Sequence, residues 1–100
     1  MYRRLRLCSN NGGYEALAEP PHPLDLPAVR RVLEQASVPV VDARVMLIAS
    51  LEMEVTISRA GRLLFKTRDP RAAERAFDRL QGLLDLPEME KERPAEGAGG

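Results

Sequence analysis

The stretch EVTISRAGRLLFKTRDP, residues 54–70, decides how this chain folds. Apolar Val55 and Ile57 alternate with polar neighbours, which is the period of a β-strand. A second apolar run follows between residues 62 and 68. Gly61 lies between the two runs and can adopt the positive φ that a tight connection usually demands. The stretch therefore predicts a β-hairpin.

The hairpin leads directly into a helix signal. Asp69 supplies a side chain that can cap free backbone amides, and Pro70 is tolerated at the first helical position. The apolar residues that recur after it at helical spacing are Ala73, Ala76, Phe77, Leu80, Leu83 and Leu84. Hairpin and helix are predicted to form one β-turn-β-helix unit.

The chain before the hairpin predicts another helix and further strands. Residues 2–8 alternate as a strand does, and residues 14–23, which include three prolines, are interpreted as an extended loop. An N-cap and an apolar stripe predict a helix over residues 26–37. Short strands are predicted near residues 39–43 and 44–50, where β-branched side chains are frequent.

These elements predict an α+β domain, in which an antiparallel sheet of four or five strands carries two helices on one face in the order β-α-β-β-β-β-α. A single domain is expected over residues 1–86, followed by a flexible acidic tail over residues 87–100. Residues 45–48 are all apolar and would occupy both faces of their strand. We therefore expect a partner, either a second copy in a homodimer or another protein, to cover the second sheet face.

Composition narrows the class of protein. The chain has 100 residues, a hydrophobic fraction of 44% and a formal net charge of zero, enough for one modest core. Arginine provides 13 of the 15 cationic residues, which fits a GC-rich genome or a thermophile. Cys8 is the single cysteine, so an intramolecular disulfide is impossible. No signal-peptide pattern and no apolar run of membrane-spanning length occurs, so a cytoplasmic location is expected.

Two residues are candidates for chemistry. Cys8 would share one side of the first strand with Arg4 and Arg6, whose charges would favour a reactive thiolate. The alternative is a small, partly buried apolar residue at the end of that strand. His22 is the single histidine, and no paired Cys or His spacing accompanies it. We therefore expect neither a metal nor another cofactor.

Patterns typical of enzymes are missing from the sequence. No glycine-rich phosphate loop occurs, and Glu52 and Glu54 are interpreted as a solvated strand face rather than as an acid and base pair. A non-enzymatic protein is therefore expected. The basic residues of the sheet and its hairpin end are Arg4, Arg6, Arg62, Lys66 and Arg68. They leave open a second function, weak binding of nucleic acid or another anion by an arginine-rich sheet.

The segment EVTISRAGRLLFKTRDPRAAERAFDRL resembles the small C-terminal domain appended to bacterial ubiquitin-activating-type adenylyltransferases, the HesA/MoeB/ThiF family. The residues that stand where the pattern of that domain places them are Thr56, Gly61, Arg62, Lys66, Asp69, Pro70 and Ala73. LRLC and LDLPAVRRVLE resemble its first strand and first helix, so the resemblance covers residues 2–84. Ser9 follows Cys8 where the family commonly has glycine, and Ala60 precedes Gly61 where it usually has aspartate.

The resemblance implies an accessory module in a sulfur-carrier or cofactor-biosynthesis pathway. Its implied partner is an adenylyltransferase or a sulfur-carrier protein, and Cys8 would at most relay a thiol. The nucleotide loop and zinc cysteines of the catalytic domain do not occur in this sequence, so adenylation is not implied. The hairpin and helix are also similar to one half of the TATA-binding protein, a likeness of fold rather than of activity.

Overall fold

The structure, a computed structural model, describes residue 2, residues 6–8 by their backbone alone, and residues 12–87. Its elements are β1 (Arg6–Cys8), β2 (Gly13–Ala16), α1 (Leu26–Gln35), β3 (Val40–Asp42), β4 (Met46–Ser50), β5 (Glu54–Ser58), β6 (Leu63–Phe65) and α2 (Pro70–Leu84). Arg4 and nearly all of the predicted tail lie outside the described residues.

The strands form one sheet in the order β1-β2-β6-β5-β4-β3, and every neighbouring pair is antiparallel. The predicted α+β class with two helices is confirmed. The sheet has six strands rather than four or five, because residues 13–16 form β2. The extended loop predicted from Tyr14 onward is therefore wrong at its first residues. This short segment is a strand because it pairs with β1 on one side and with β6 on the other, which puts Tyr14 opposite Phe65.

Both helices begin at the predicted caps. Asp25 Oδ1 accepts a hydrogen bond from the amide of Ala28 at 3.3 Å, and Asp69 Oδ1 accepts one from the amide of Arg71 at 3.0 Å. Each carboxylate satisfies an amide that has no partner inside its own helix. Helix α2 ends at Asp85, which adopts the left-handed conformation with φ 53°. Local sequence therefore determines where both helices start.

The core lies between the helices and one face of the sheet. Its fully buried large side chains are Tyr2, Leu33, Leu47, Val55, Ile57, Leu63, Phe65, Phe77 and Leu80. The strand members of this set alternate along their strands, so their neighbours in sequence belong to the opposite sheet face. Two sheet faces of different character result, one buried under α1 and α2 and one carrying no residue of the buried core.

The β5–β6 turn is anchored by the loop that precedes α1. The Leu24 amide donates a hydrogen bond to the carbonyl oxygen of Arg59 at 2.8 Å. Gly61, at φ 94°, lies against the same loop, because a Cβ atom placed there would be 2.3 Å from the carbonyl oxygen of His22. This position therefore requires glycine for two reasons, the backbone conformation and the contact.

Candidate protein-binding face

The sheet face away from the helices, called the open face below, is built from positions that alternate with the core. Register places Val41 opposite Ile48, Ile48 opposite Thr56, and Thr56 opposite Leu64. Paired residues point to the same side of a sheet, so these four side chains form a continuous row across β3, β4, β5 and β6. Three of the four are apolar.

Exposure increases along this row towards the sheet edge. Leu64 and Ile48 are half-buried, whereas Val41 on the edge strand is 63% exposed. Met46 is also half-buried and lies on the same face opposite Ser58. The row is therefore an apolar surface that water contacts and that no buried core residue shares.

Residues 45–48 were predicted to occupy both faces of their strand, and the structure places each of them. Leu47 is 1% exposed and faces the helices, while Met46 and Ile48 are on the open face. Val45 precedes β4 and is 60% exposed. The strand is apolar on both faces, as predicted, but the described part of the chain does not bury its second face.

Charged residues occupy the other half of the open face. Arg62 forms an ion pair with Glu15, which lies on the neighbouring strand β2. The predicted basic patch is therefore partly neutralised at Arg62. Lys66 and Arg68 are exposed, whereas the side chains of Arg4 and Arg6 lie outside what the structure describes. Only the backbone position of Arg6 is placed, opposite Glu15.

The structure gives less detail about Cys8 and His22, the two candidates for chemistry, than about the open face. Register places Cys8 opposite Gly13, and its side chain is not among those described, so thiol reactivity stays a prediction. His22 is half-buried in the loop before α1, and its backbone supports the β5–β6 turn. Within the described residues, no group of three or more His, Cys, Asp or Glu side chains could hold a metal ion.

Glu52 and Glu54 do not form an acid and base pair in this fold. Glu52 lies in the β4–β5 connection and accepts two hydrogen bonds from Arg75 of α2, at 3.1 Å each. Its side chain is 53% exposed. Glu54 begins β5 and is also exposed. The interpretation as a solvated surface fits this geometry, since both carboxylates are exposed and Glu52 is paired with Arg75.

One shallow depression of about 460 Å³ lies at the beginning of α1. The charged residues that line it are Asp25, Asp42, Arg44 and Arg59. Asp25 is occupied as the helix cap, and Asp42 accepts from the Arg44 amide at 2.8 Å and pairs with Arg30. These carboxylates serve the fold itself, so we assign the depression no ligand.

Tyr2 is a buried residue that the sequence did not single out. Its ring meets Phe77 edge-on, with 5.3 Å between centroids and an interplanar angle of 73°. Its hydroxyl is buried without a hydrogen-bond partner, and burial raises the pKa of Tyr2 to about 12. An alternating pattern marks a residue as buried, but it does not show whether a hydroxyl finds a partner.

Alkaline pH should destabilise the fold through Tyr2. The unfolded pKa is near 10 and the folded one about 12, so unfolded chains lose this proton first as the pH rises. The free energy of unfolding should therefore fall by about 2 kcal/mol between these two values. Tyr2→Phe should remove this loss and add about 1 kcal/mol at neutral pH. Urea denaturation at several pH values measures both effects.

The matched control is Tyr14→Phe, because Tyr14 is a second tyrosine that is only half-buried. That variant should keep the alkaline loss of the parent chain. A Tyr2→Phe curve parallel to the parent above pH 10 would refute the assignment to Tyr2.

Comparison with protein-family models, curated proteins and solved structures gives no match. The resemblance to the appended adenylyltransferase domain therefore stays a sequence-based hypothesis. The described residues contain no helix that is both long and apolar enough to cross a bilayer. The open face is consequently the structural feature on which a function is proposed.

Proposed function

We propose that this chain is a non-enzymatic accessory module that binds a protein partner through the open face of its sheet. The observation that supports the proposal is the row of Val41, Ile48, Thr56 and Leu64, which is continuous across four strands, apolar at three of its four positions and accessible to water. Burying such a row against another protein is favourable, at about 25 cal/mol per Å² of apolar surface. The ion pair of Glu15 and Arg62 adds a polar margin beside it.

The partner class follows from the resemblance. An adenylyltransferase of the ubiquitin-activating type or a sulfur-carrier protein is the proposed partner, in a sulfur-carrier or cofactor-biosynthesis pathway of the cytoplasm. A second copy of the chain is the other partner that the apolar face admits. Within this proposal Cys8, at the end of β1, would at most relay a thiol.

Leu64→Lys should weaken partner binding at least tenfold while preserving the fold. Leu64 lies opposite Glu15 on β2, so the new ammonium group faces a carboxylate, but it places a charge at the β6 end of the apolar row. A tenfold loss of affinity corresponds to about 1.4 kcal/mol, and burying a charge in an apolar contact costs at least that much. The measurement is affinity capture from native cells, followed by titration with the purified partner.

The matched control is Arg31→Glu, an exposed position on α1 away from the open face. It should bind like the parent chain. Equal capture by Leu64→Lys and the parent would contradict binding through the open face. Recovery of a protein that is neither an adenylyltransferase nor a sulfur carrier would contradict the partner class alone.

The alternative is weak binding of nucleic acid or another anion by the arginine-rich sheet. It receives less support, because Arg62 is already paired with Glu15, which leaves Lys66 and Arg68 as the other exposed cations among the described side chains of the patch. Phosphate affinity requires several clustered cations. A salt titration with single-stranded and duplex DNA tests it, and binding that is lost as salt rises would favour this function over the first.

A further inference from the structure

Strand β3 is an edge strand, and no strand among the described residues pairs with the backbone groups on its outer side. The backbone groups that bond to the neighbouring strand β4 are those of Pro39, Val41 and Ala43. Ser50 donates to the Pro39 carbonyl, and Ala43 donates to the Met46 carbonyl. In an antiparallel pair the bonding direction alternates, so the N–H and C=O groups of the residues between these point away from β4. Those residues are Val40 and Asp42. The edge is therefore able to accept another strand.

The most exposed large apolar side chains of the described residues lie on β3 and in the connection from β3 to β4. Val41 is 63% exposed and Val45 is 60% exposed, against 37% for Leu17, the next in order. Exposed apolar side chains grouped beside free strand edges are typical of an interface. The edge also continues the apolar row of the open face through Ile48.

We propose that two copies of this chain pair through their β3 strands, antiparallel and about a two-fold axis at Val41. The inference rests on the proposed function only in that self-association is one form of protein binding. In this register Val40 of one copy exchanges two backbone hydrogen bonds with the second copy's Asp42, and the reverse pair does the same. Val41 packs directly on the second copy's Val41, the closer type of cross-strand pair.

Pro39 does not obstruct this pairing. Its carbonyl accepts from Ser50 on the β4 side, so its missing N–H belongs to the inner direction and not to the free edge. A two-fold contact also closes on itself, because each copy has used its β3 edge once the pair has formed. The opposite edge of the sheet is β1, a different sequence. The expected product is a dimer rather than a fibre.

The same two-fold axis places opposite charges of the two α1 helices, Arg30 and Glu34, beside each other. Arg30 Nη1 lies 3.3 Å from Asp42 Oδ2, and Arg30 Nε lies 3.1 Å from Glu34 Oε2. Four helical residues rise about 6 Å, nearly the length of two strand residues. The chain reverses direction between α1 and β3. Measured along the direction of β3, Arg30 therefore lies at the height of Asp42, and Glu34 lies at the height of Val40.

The axis at Val41 exchanges those two levels. Arg30 of one copy therefore comes level with the second copy's Glu34, and Glu34 comes level with the second copy's Arg30. Both side chains are about half exposed, so their charged ends are accessible to a second copy at this edge. The two α1 helices consequently present opposite charges to each other at both positions.

The first test compares the parent chain with Val41→Lys by sedimentation equilibrium over a range of concentrations. The new ammonium groups would face each other across the axis, and we expect the dimer dissociation constant to rise at least about tenfold. Leu17→Lys is the control, since Leu17 is exposed outside β3 and should leave the constant unchanged. Equal constants for Val41→Lys and the parent would overturn the proposal.

The second test uses complementary charge changes on α1. Arg30→Glu and Glu34→Arg each place like charges opposite one another in a homodimer, so each variant alone should be largely monomeric. Mixing the two restores opposite charges at both positions, so a heterodimer should form and be seen by native mass spectrometry. Circular dichroism of each variant confirms its fold. Absence of the heterodimer from the mixture would refute the register.

These tests separate self-association from the proposed function. Arg30 and Glu34 lie on α1, outside the open face, whereas Leu64→Lys changes that face away from β3. A parent chain that stays monomeric up to about 1 mM would overturn the β3 pairing. The capture experiment with Leu64→Lys would still decide the proposed function on its own.

Discussion

Gly61→Val is expected to lower the free energy of unfolding by about 3 kcal/mol. Gly61 has a φ of 94°, a conformation that L residues with a branched Cβ adopt at a cost of about 1–2 kcal/mol. A Cβ atom at this position would also stand 2.3 Å from the His22 carbonyl oxygen, so backbone must move. That movement would strain the hydrogen bond that ties Leu24 to the turn at Arg59.

The measurement is chemical denaturation beside two glycine controls. Gly12 has a φ of 66° but open space around its ideal Cβ position, so Gly12→Val should show the conformational cost alone. Gly82 lies within α2 with open space as well, and Gly82→Ala should stabilise by about 0.5–1 kcal/mol. Equal losses at Gly61 and Gly12 would show that the His22 contact contributes nothing.

Phe77→Ala is expected to be the most destabilising of these substitutions, at about 3–5 kcal/mol. Phe77 is 2% exposed and joins α2 to the beginning of the chain through its edge-on contact with Tyr2. Tyr2 itself forms an isolated bridge with Ala18. Removing the ring leaves a cavity between the helix and this bridge, and it removes an aromatic contact worth about 0.5–1.5 kcal/mol.

The control for this experiment is Leu83→Ala on the same helix. Leu83 is half-buried and packs at the margin of the core, so its loss should be about half as large or less. Thermal and denaturant unfolding of both variants provide the comparison. Similar losses for the two variants would show that Phe77 is not the central contact of α2.

Part of the fold was predictable because its causes are local. The hairpin of β5 and β6 depends on alternation around Gly61, and both helices begin where Asp25 and Asp69 satisfy nearby amides. Strand β2 was missed because one of its two pairing partners is distant. Gly13 and Tyr14 follow turn-forming residues in the sequence, and the strand they begin lies between β1 and β6, the second of which is reached much later along the chain.

The open face, like the fold, was predicted only in part. Apolar residues 45–48 indicated that the second sheet face is unusual, and Ile48 does lie there. Its continuation into Val41 and Leu64 depends on strand register, which no single stretch contains. The ion pair between Arg62 and Glu15 was not predicted from the sequence. The two residues come together only when β2 pairs with β6.

By itself the sequence determined the α+β class, the hairpin at Gly61 and the caps at Asp25 and Asp69, since each depends on residues within a few positions of one another. The tertiary structure alone decided the strand order, the burial of Tyr2 and the position of β3 at a free edge. These properties depend on which distant strands pair and which side chains then exclude water. Pairing between strands that are distant along the chain is a property of the whole sheet, so no local pattern encodes it.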